Sequence, residues 1–443
     1  MKVLIVGGGG REHALAWRLS HSPGVRRLVA APGNAGIAAV ADCVPVQADD
    51  IEGIVGLAAV ESADLVVVGP ETPLVAGLAD RLRSVGIAVF GPDAAAARIE
   101  GSKAWAKELM RRGGIPTARW ETFTEVGPAI AFVDELGGRA VVKADGLAGG
   151  KGVTVAPDLE TAAAALRRSL EADEFGAAGA RVVVEEVLEG AEVSAFALCD
   201  GRAIVPLVLG QDFKRALDGD EGPNTGGMGA FSPVPFVDAE TEDGIWDLAQ
   251  RTVDAMAADG VSYRGVLYLG LMLTAEGPKL LEYNCRFGDP ETEVVMPRLR
   301  ADLAEVLLAC ATGDLAGRKI GWSEDAAVTV VLTSGGYPGP YETGTPIEGL
   351  EAAARVEGAV VFHAGTAMRD GRVVTAGGRV LAVSSLGSTI EQARVRAYEA
   401  CSRLSFDGMR YRTDIAARAA RDRGRAGSVP DAGTEPPRDE EER

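Results

Sequence analysis

The 443-residue chain contains few of the residues on which covalent catalysis and structural metal sites depend. It has three histidines and five cysteines, and the cysteines are scattered and form no C-x-x-C pair. This spacing argues against a structural zinc site or a disulfide framework and is typical of a reducing compartment. No apolar run reaches the roughly 18 residues of a membrane span, and MKVLIVGGGGREH indicates a strand and a turn, not a signal peptide. We therefore expect a cytoplasmic protein that does not bind a membrane.

Positive charge is also scarce, because 45 Lys and Arg residues face 64 Asp and Glu residues, for a net charge of −19. Nucleic acids and anionic membranes are polyanions, so such a chain is a poor partner for either. A phosphorylated small molecule would need a local concentration of Lys, Arg, backbone N–H groups or metal ions.

Two glycine-rich turns follow apolar strands, but neither belongs to the commonest nucleotide folds. In VVKADGLAGGKGV (141–153), a P-loop would require glycine where Asp145 stands and Ser or Thr where Gly152 stands. In GGGGREH (7–13), Glu12 occupies the third glycine position of a dinucleotide fingerprint, which disfavours a dehydrogenase.

The pattern of apolar runs predicts an α/β and α+β multidomain protein. In the first hundred residues strands alternate with helices, which indicates an open parallel sheet with ligands beyond the carboxyl ends of its strands. One helical segment is predicted at 93–114, further helices near 125–137, 158–172 and 238–258, and a polar loop at 211–231. The predicted units are a Rossmann-like amino-terminal domain (1–101), a connecting helix (102–116), a small subdomain (117–188), a large subdomain (189–325), a carboxyl-terminal α+β domain (326–420) and a disordered tail (421–443).

The segment LLEYNCRFGDPETE (280–293) carries the clearest chemical pattern. Because strand side chains alternate, Glu282, Asn284 and Arg286 share one face while the opposite face is apolar. Carboxylate and amide oxygens are ligands that Mg²⁺ accepts while keeping waters or substrate phosphates. An arginine beside them can stabilise charge on a transferring phosphoryl group, although a solvated edge strand is the alternative.

Other polar positions extend this hypothesis. Lys143 shares a strand face with Val141, where an ammonium group suggests an anion, and the glycines that follow could supply N–H donors to phosphate; a flexible hairpin tip is the alternative. The strand ending at Glu185 offers carboxylates to a ribose or an adenine amino group. The segment 211–233 concentrates Asp212, Lys214 and Arg215 before NTGGMG, and a disordered surface loop is the alternative interpretation there.

Taken in order, the motifs resemble the phosphoribosylamine–glycine ligase (glycinamide ribonucleotide synthetase) family of the ATP-grasp superfamily. They are MKVLIVGGGGREHALAW, PGNAG, GPETPL, GSKAWAK, KADGLAGGKGV, QDFKR, GPNTGGMGAFSP, EYNCRFGDPET, FHAGT, TAGGRVLAV and YRTDI. The resemblance implies a Rossmann-like domain, two subdomains that clasp ATP and a small carboxyl-terminal domain.

The resemblance also implies residue roles. Implied ATP-binding residues are Lys103, Lys143, Gly149, Gly150, Glu185, Val187 and Glu192, and implied Mg²⁺ (or Mn²⁺) ligands are Glu282 and Asn284. Implied catalytic residues are Arg286, Lys143, Asp212, Lys214 and Arg215. Implied substrate-binding residues are Gly9, Gly10, Arg11, Glu12, Asn224, Thr225, Gly226, Gly227 and Asp289.

The family chemistry joins glycine to 5-phosphoribosylamine through glycyl phosphate, and it needs no nucleophile from the protein. The chain departs from the family pattern at Phe213, where histidine is usual in Q-D-x-K-R. Another ATP-grasp enzyme of purine synthesis, a carboxylase or a formate-using transformylase, remains an alternative, as does an inactive nucleotide-binding protein. The sequence leaves the oligomeric state open, with a monomer as the expectation.

Overall fold

The computed structural model describes residues 1–149, 152–172 and 174–421. The amino-terminal unit contains β1 (Lys2–Gly7), α1 (Gly10–Ser20), β2 (Arg27–Pro32), β3 (Asp42–Cys43), α2 (Ile51–Glu61), β4 (Leu65–Val68), α3 (Glu71–Val75), α4 (Leu78–Ser84) and β5 (Val89–Phe90). Its strands form a parallel sheet in the order β3-β2-β1-β4-β5, as predicted. Val3 to Val6 are buried on both faces of the sheet, which is why β1 is a continuous apolar run.

The segment predicted as one helical stretch is two helices, α5 (Ala94–Gly101) and α6 (Lys103–Arg112). Ser102 between them has an extended backbone, with φ −144° and ψ 109°, and its Oγ accepts a hydrogen bond from the Trp105 N–H at 3.2 Å. This N-cap ends one helix and begins the next, so Lys103 becomes the first residue of α6.

The following unit contains β6 (Trp120–Phe123), α7 (Val126–Glu135), β7 (Ala140–Ala144), β8 (Val153–Ala156), α8 (Leu159–Leu170) and β9 (Val182–Glu185). Its antiparallel sheet has the order β6-β9-β7-β8. Apolar side chains of α7 and α8, among them Phe132 and Leu166, pack with those of β7 and β9 in one core.

The next segment contains β10 (Ala191–Asp200), β11 (Ile204–Pro206), β12 (Gln211–Asp212), β13 (Arg215–Leu217), β14 (Glu221–Asn224), β15 (Gly229–Ser232), α9 (Ala239–Ala258), β16 (Arg264–Thr274), β17 (Gly277–Asn284), α10 (Thr292–Arg298) and α11 (Leu303–Thr312). A second antiparallel sheet has the order β11-β10-β16-β17. The prediction of a polar loop at 211–231 is wrong, because this stretch forms β12, the β13–β14 hairpin and most of β15.

The carboxyl-terminal part contains β18 (Ala326–Thr333), α12 (Leu350–Ala354), β19 (Ala359–His363), β20 (Thr366–Arg369), β21 (Arg372–Thr375), β22 (Arg379–Gly387), α13 (Ile390–Cys401) and α14 (Ala417–Arg421). Its sheet has the order β12-β15-β18-β22-β19, so two strands from the preceding segment complete it. This shared sheet fixes the 211–231 segment to the carboxyl-terminal part, while the domain boundaries given above remain predictions. The predicted disordered tail lies outside the described residues from 422 onward.

Among the described helices, none combines the length and the apolar character needed to cross a membrane.

Candidate active site

A cavity of about 1160 Å³ is lined by side chains from α6, β7, β9, β12, β17 and β22. It brings together most of the residues singled out in the sequence: Arg11, Lys103, Lys143, Gly149, Glu185, Val187, Glu192, Asp212, Lys214, Arg215, Asn224, Thr225, Gly226, Glu282, Asn284, Arg286 and Asp289. Gly9, Gly10, Glu12 and Gly227 are not among the lining residues. Gly150 lies outside the described residues.

A buried carboxylate between two ammonium groups forms one wall of the cavity. Lys143 Nζ lies 2.8 Å from Glu185 Oε1, and Lys107 Nζ lies 2.8 Å from Glu185 Oε2. Burial would raise the pKa of Glu185, but the two lysines outweigh it and lower that pKa; burial also lowers the pKa of Lys107 to about 8. With both lysines protonated, two positive charges and one negative charge leave this wall with a net positive charge.

The same cluster connects separate elements. Lys143 Nζ donates to the carbonyl of Leu281 at 3.0 Å, and Lys107 Nζ donates to Thr117 Oγ1 at 2.6 Å. Thr117 Oγ1 in turn donates to the carbonyl of Leu280 at 2.5 Å. Through these bonds α6, β7 and β9 are held against β17.

Lys103 lies at the start of α6, beside the loop that follows β7. Its Nζ donates to the Gly146 carbonyl at 3.2 Å, and burial, together with nearby Lys143, lowers its pKa. Asp145 anchors the same loop by accepting from the Ala104 N–H at 2.7 Å and from Arg181 Nε at 2.8 Å. Gly149 in this loop has φ +56°, a conformation that favours glycine.

Two oxygen donors on β17 fit a divalent cation. Burial would raise the pKa of Glu282, but Lys214, Lys143 and Lys103 outweigh it, so the pKa is lowered and the carboxylate stays charged. The neighbours of Asn284 are satisfied when its amide NH₂ faces Glu100 Oε1, 2.9 Å away, and the Tyr283 carbonyl, 3.2 Å away; this orientation leaves its oxygen as an acceptor.

No cluster of three or more His, Cys, Asp or Glu side chains suited to a metal occurs in the described part of the chain. A Mg²⁺ ion bound by one or two protein oxygens, with waters and substrate phosphates completing its coordination, is compatible with this donor set.

Arg286 is fixed by two carboxylates. Its Nη2 lies 3.0 Å from Glu100 Oε1, and its Nε donates to Glu71 Oε2 at 3.2 Å. Arg286 and Arg11 both donate to the Phe287 carbonyl, at 3.3 and 3.2 Å. The two guanidinium groups therefore converge on the turn that follows β17.

A group of acidic side chains surrounds Lys214. Its Nζ lies 2.8 Å from Glu192 Oε2 and 4.0 Å from Glu282 Oε1. Burial and the neighbouring carboxylates of Glu291 and Glu192 raise the pKa of Asp212 to about 8, although Lys214 opposes this shift. Arg215 Nη1 donates to the Gly222 carbonyl at 2.8 Å and so links β13 to β14.

The β1–α1 turn is tightly packed. Gly9 N–H donates to Glu12 Oε2 at 2.6 Å, and Arg11 Nε donates to Glu12 Oε1 at 2.6 Å, so both oxygens of this carboxylate are occupied. A Cβ at Gly8 would clash with the Gly33 carbonyl oxygen, so the GGGGREH and PGNAG turns touch through their backbones. Glu12 thus holds the turn in shape while Arg11 lines the cavity.

The sequence interpretation missed Lys107, Glu71, Glu100, Glu291 and Arg379, all of which line the cavity. Four of them belong to quoted motifs, which therefore carried a signal: Lys107 to GSKAWAK, Glu71 to GPETPL, Glu291 to EYNCRFGDPET and Arg379 to TAGGRVLAV. Glu100 lies in a segment that reads as an ordinary helix, and its ion pair with Arg286 reveals its part in the site.

Phe213, the position at which the resemblance implies histidine, lines the cavity and packs against the apolar core of the carboxyl-terminal part. Its ring centroid lies 6.2 Å from that of Phe231, and the Arg412 guanidinium lies 5.1 Å from the ring. This position joins the 211–231 segment to the carboxyl-terminal core.

Family models match three consecutive parts of the chain: the phosphoribosylglycinamide synthetase N domain at residues 1–100, the ATP-grasp (A) domain at 101–292 and the C domain at 327–418. A phosphoribosylamine–glycine ligase from Rhizobium meliloti is 52% identical over 421 residues, which cover 95% of this chain and 99% of that protein.

The crystal structure of a phosphoribosylamine–glycine ligase from Thermotoga maritima is similar with a TM-score of 0.83 at 37% identity, covering 94% of this chain and all of that one. The biotin carboxylase domain of a Hydrogenobacter thermophilus 2-oxoglutarate carboxylase, in complex with MgADP, has a TM-score of 0.71 at 18% identity over 94% of this chain and 97% of that one. This second likeness shows a shared fold. The chain belongs to the phosphoribosylglycinamide synthetase family.

Proposed function

We propose that this chain joins glycine to 5-phosphoribosylamine in an ATP-dependent ligation, giving glycinamide ribonucleotide, ADP and phosphate. One observation carries the proposal: a single cavity contains buried lysines, the Glu282–Asn284–Arg286 face and the neighbourhood of the β1–α1 turn. ATP, a carboxylate and a phosphorylated amine could therefore meet in one place. The family membership and the names of the relatives point to the same reaction.

The ATP half of the site is assigned to the lysine-bearing wall. Lys103 and Lys143 bind the phosphates, and the loop that contains Gly149 supplies backbone N–H groups to them. Val187 and Glu192 lie at the edge assigned to the adenine and the ribose. Glu185 supports this half by holding Lys143, because both of its oxygens already face lysines.

Glu282 and Asn284 are the residues that would hold Mg²⁺ or Mn²⁺. The ion would supply charge neutralisation on the ATP phosphates. The donor set described above supports this assignment, since it offers two oxygens and leaves further positions to waters and phosphates.

The first chemical step is attack of the glycine carboxylate on the γ-phosphorus of ATP, giving glycyl phosphate and ADP. Arg286 is positioned by Glu71 and Glu100 and stabilises negative charge on the transferring phosphoryl group. Fixed donors of this kind contribute most when they need no reorganisation during the reaction.

The second step is attack of the phosphoribosylamine nitrogen on the acyl carbon, which forms the amide and releases phosphate and a proton. The turn of Gly9, Gly10, Arg11 and Glu12 is assigned to the amine substrate: Arg11 lines the cavity and supplies positive charge for the 5-phosphate, while Glu12 holds the shape of the turn. Asp212, which lines the cavity beside Lys214, is assigned as the acceptor of this proton.

The remaining assigned residues surround the acyl phosphate. Lys214 and Arg215 supply positive charge beside Asp212, and the NTGG stretch from Asn224 to Gly227, with Asp289, lines the acyl-phosphate side of the site. All of these except Gly227 line the cavity. The enzyme thus acts by positioning, charge neutralisation and exclusion of water.

The test is ADP release with glycine, MgATP and freshly generated phosphoribosylamine, omitting one at a time. We expect product only when all three are present, with glycinamide ribonucleotide identified by mass. Undiminished ADP release without glycine would contradict the proposal.

A further inference from the structure

Arg379 opens β22 in the carboxyl-terminal part and reaches the active-site cavity. Its Nη1 donates to the Asp289 carbonyl at 2.9 Å, lies 3.0 Å from Asp289 Oδ1, and also bonds the Gly226 carbonyl. The ion pair is mostly shielded, with side-chain exposures of 22% for Arg379 and 18% for Asp289. One guanidinium therefore joins two segments that are distant in sequence.

A second residue of the carboxyl-terminal part reinforces the same junction. Gly226 N–H donates to Tyr337 Oη at 3.0 Å, so the peptide groups on both sides of Gly226 are held from one domain. A Cβ at Gly226 would lie 2.9 Å from Arg379 Cζ, which shows how closely backbone and guanidinium pack. The NTGG stretch and the turn after β17 thus take their relative position from Arg379 and Tyr337.

The junction lies between the acyl-phosphate side of the cavity and the β1–α1 turn, which is assigned to the amine substrate. Asp289 Oδ2 would lie 3.8 Å from a Cβ at Gly9, which caps the amino terminus of α1. The contacts of Arg379 with Gly226 and Asp289 use Nη1, and its Nη2 and Nε make no hydrogen bond within the described ranges 1–149, 152–172 and 174–421. The ATP-side lysines bond elsewhere, to Gly146, Leu281 and Glu185.

We propose that Arg379 is a positioning residue for the amide-forming step: it fixes Asp289 and the Gly226 turn so that phosphoribosylamine meets the acyl phosphate in a reactive orientation. This inference rests on the proposed function and adds that the carboxyl-terminal domain completes the amine side of the site. Residues held this way act mainly on orientation, where small displacements cost much rate.

Steady-state kinetics of Arg379→Gln test the proposal. We expect kcat/KM for phosphoribosylamine to fall about 100-fold, while KM for MgATP stays within about threefold of the original enzyme. Arg379→Lys keeps one positive charge and should recover part of the loss. Tyr337→Phe removes the acceptor of the Gly226 N–H. It should lower kcat/KM for phosphoribosylamine by a smaller factor and also leave KM for MgATP nearly unchanged.

The matched control is Arg372→Gln, because Arg372 is exposed on β21, the strand that precedes β22 in the chain, and lies outside the cavity lining. A parallel rise in KM for MgATP, or an unchanged kcat/KM for phosphoribosylamine, would overturn the proposal. If Arg379→Gln does not fold, Arg379→Lys and Tyr337→Phe decide by the same comparison. Failure of the original enzyme to form glycinamide ribonucleotide would instead contradict the proposed function.

Discussion

Lys143 Nζ lies 2.8 Å from Glu185 Oε1 in a pair that is almost fully buried, with side-chain exposures of 7% and 2%. Lys107 holds the other oxygen of the same carboxylate. A buried charge that loses its partner keeps its desolvation cost, so this arrangement depends on Glu185 more than on either lysine.

Glu185→Gln should therefore destabilise the free protein strongly. We expect a loss of about 3–5 kcal/mol in the free energy of unfolding, because two buried ammonium groups lose their carboxylate. MgATP should restore more stability to the variant than to the original protein, since its phosphates supply negative charge beside Lys143. Denaturant unfolding with and without MgATP measures both effects.

The control for this experiment is Glu189→Gln, whose carboxylate is exposed and pairs with exposed Arg139. Surface pairs contribute little, so its stability should stay close to the original. Equal unfolding curves for the Glu185 and Glu189 variants would contradict the role given to Glu185.

Glu282→Ala should weaken the binding of the divalent ion at the active site. We expect the Mg²⁺ concentration for half-maximal turnover to rise at least about 10-fold, and Mn²⁺ binding in the presence of ADP, measured by electron paramagnetic resonance, to weaken in parallel. Glu276→Ala is the matched control, because Glu276 lies in the exposed turn before the same strand and pairs with Lys279. Unchanged Mn²⁺ affinity in Glu282→Ala would remove that residue from the metal site.

Glu293 gives a prediction about stability and pH. It is fully buried beneath the β1–α1 turn, neither oxygen finds a hydrogen-bond partner among the described residues, and burial, with nearby Asp289, raises its pKa well above the usual value. The folded state therefore keeps a proton that the unfolded state releases above about pH 4.3, so this group costs stability as pH rises.

Glu293→Gln removes that cost, because an amide does not ionise. We expect the variant to melt at a higher temperature than the original at pH 8, and the difference to shrink towards pH 4. Glu324→Gln, at an exposed position, serves as the control. A melting temperature for Glu293→Gln that lies below the original at pH 8 would show that the carboxylate is charged and stabilising.

Two buried histidines lie at the contact between α1 and β19, and we expect them to make the stability of the protein fall at acidic pH. Burial lowers the pKa of His13 to about 3 and that of His363 to about 4, and His13 Nδ1 accepts the His363 N–H at 2.7 Å. Below the unfolded value of about 6.5 the unfolded chain binds protons that the folded chain does not, so stability falls as pH falls from about 6.5 to 4, by up to about 1.4 kcal/mol per pH unit for each histidine.

His13→Gln should flatten this dependence while lowering stability overall, as measured by urea unfolding from pH 7 to pH 4.5. His21→Gln is the control, because the His21 ring is exposed. If the free energy of unfolding depended on pH with the same slope in the original and the His13 variant, buried His13 would not be a source of the acid sensitivity.

Much of the fold follows from local patterns. The parallel sheet was predictable because β1, β2 and β4 are apolar runs that end in glycine or proline turns, and α7, α8 and α9 fall within the predicted ranges. The prediction for segment 211–231 was wrong because its polar residues face a cavity and its strand β15 pairs with β18, which lies about a hundred residues further on. No local pattern specifies a partner at that distance.

In the candidate site, too, local patterns reveal some residues and only tertiary packing reveals others. Alternation along β17 was enough to place Glu282 and Asn284 on one face, but the alternation could not show that Glu71 and Glu100 hold Arg286, since those carboxylates come from two other elements. Arg379 likewise comes from the far end of the chain, and only tertiary packing brings it to Asp289.

The most direct test of the central claim follows oxygen from glycine to phosphate. With MgATP, phosphoribosylamine and glycine labelled with ¹⁸O in its carboxylate, attack on the γ-phosphorus places a labelled oxygen between carbon and phosphorus, and amide formation releases it with the phosphate. The account predicts one ¹⁸O atom in each released phosphate. Unlabelled phosphate, formed alongside glycinamide ribonucleotide, would contradict a glycyl phosphate intermediate.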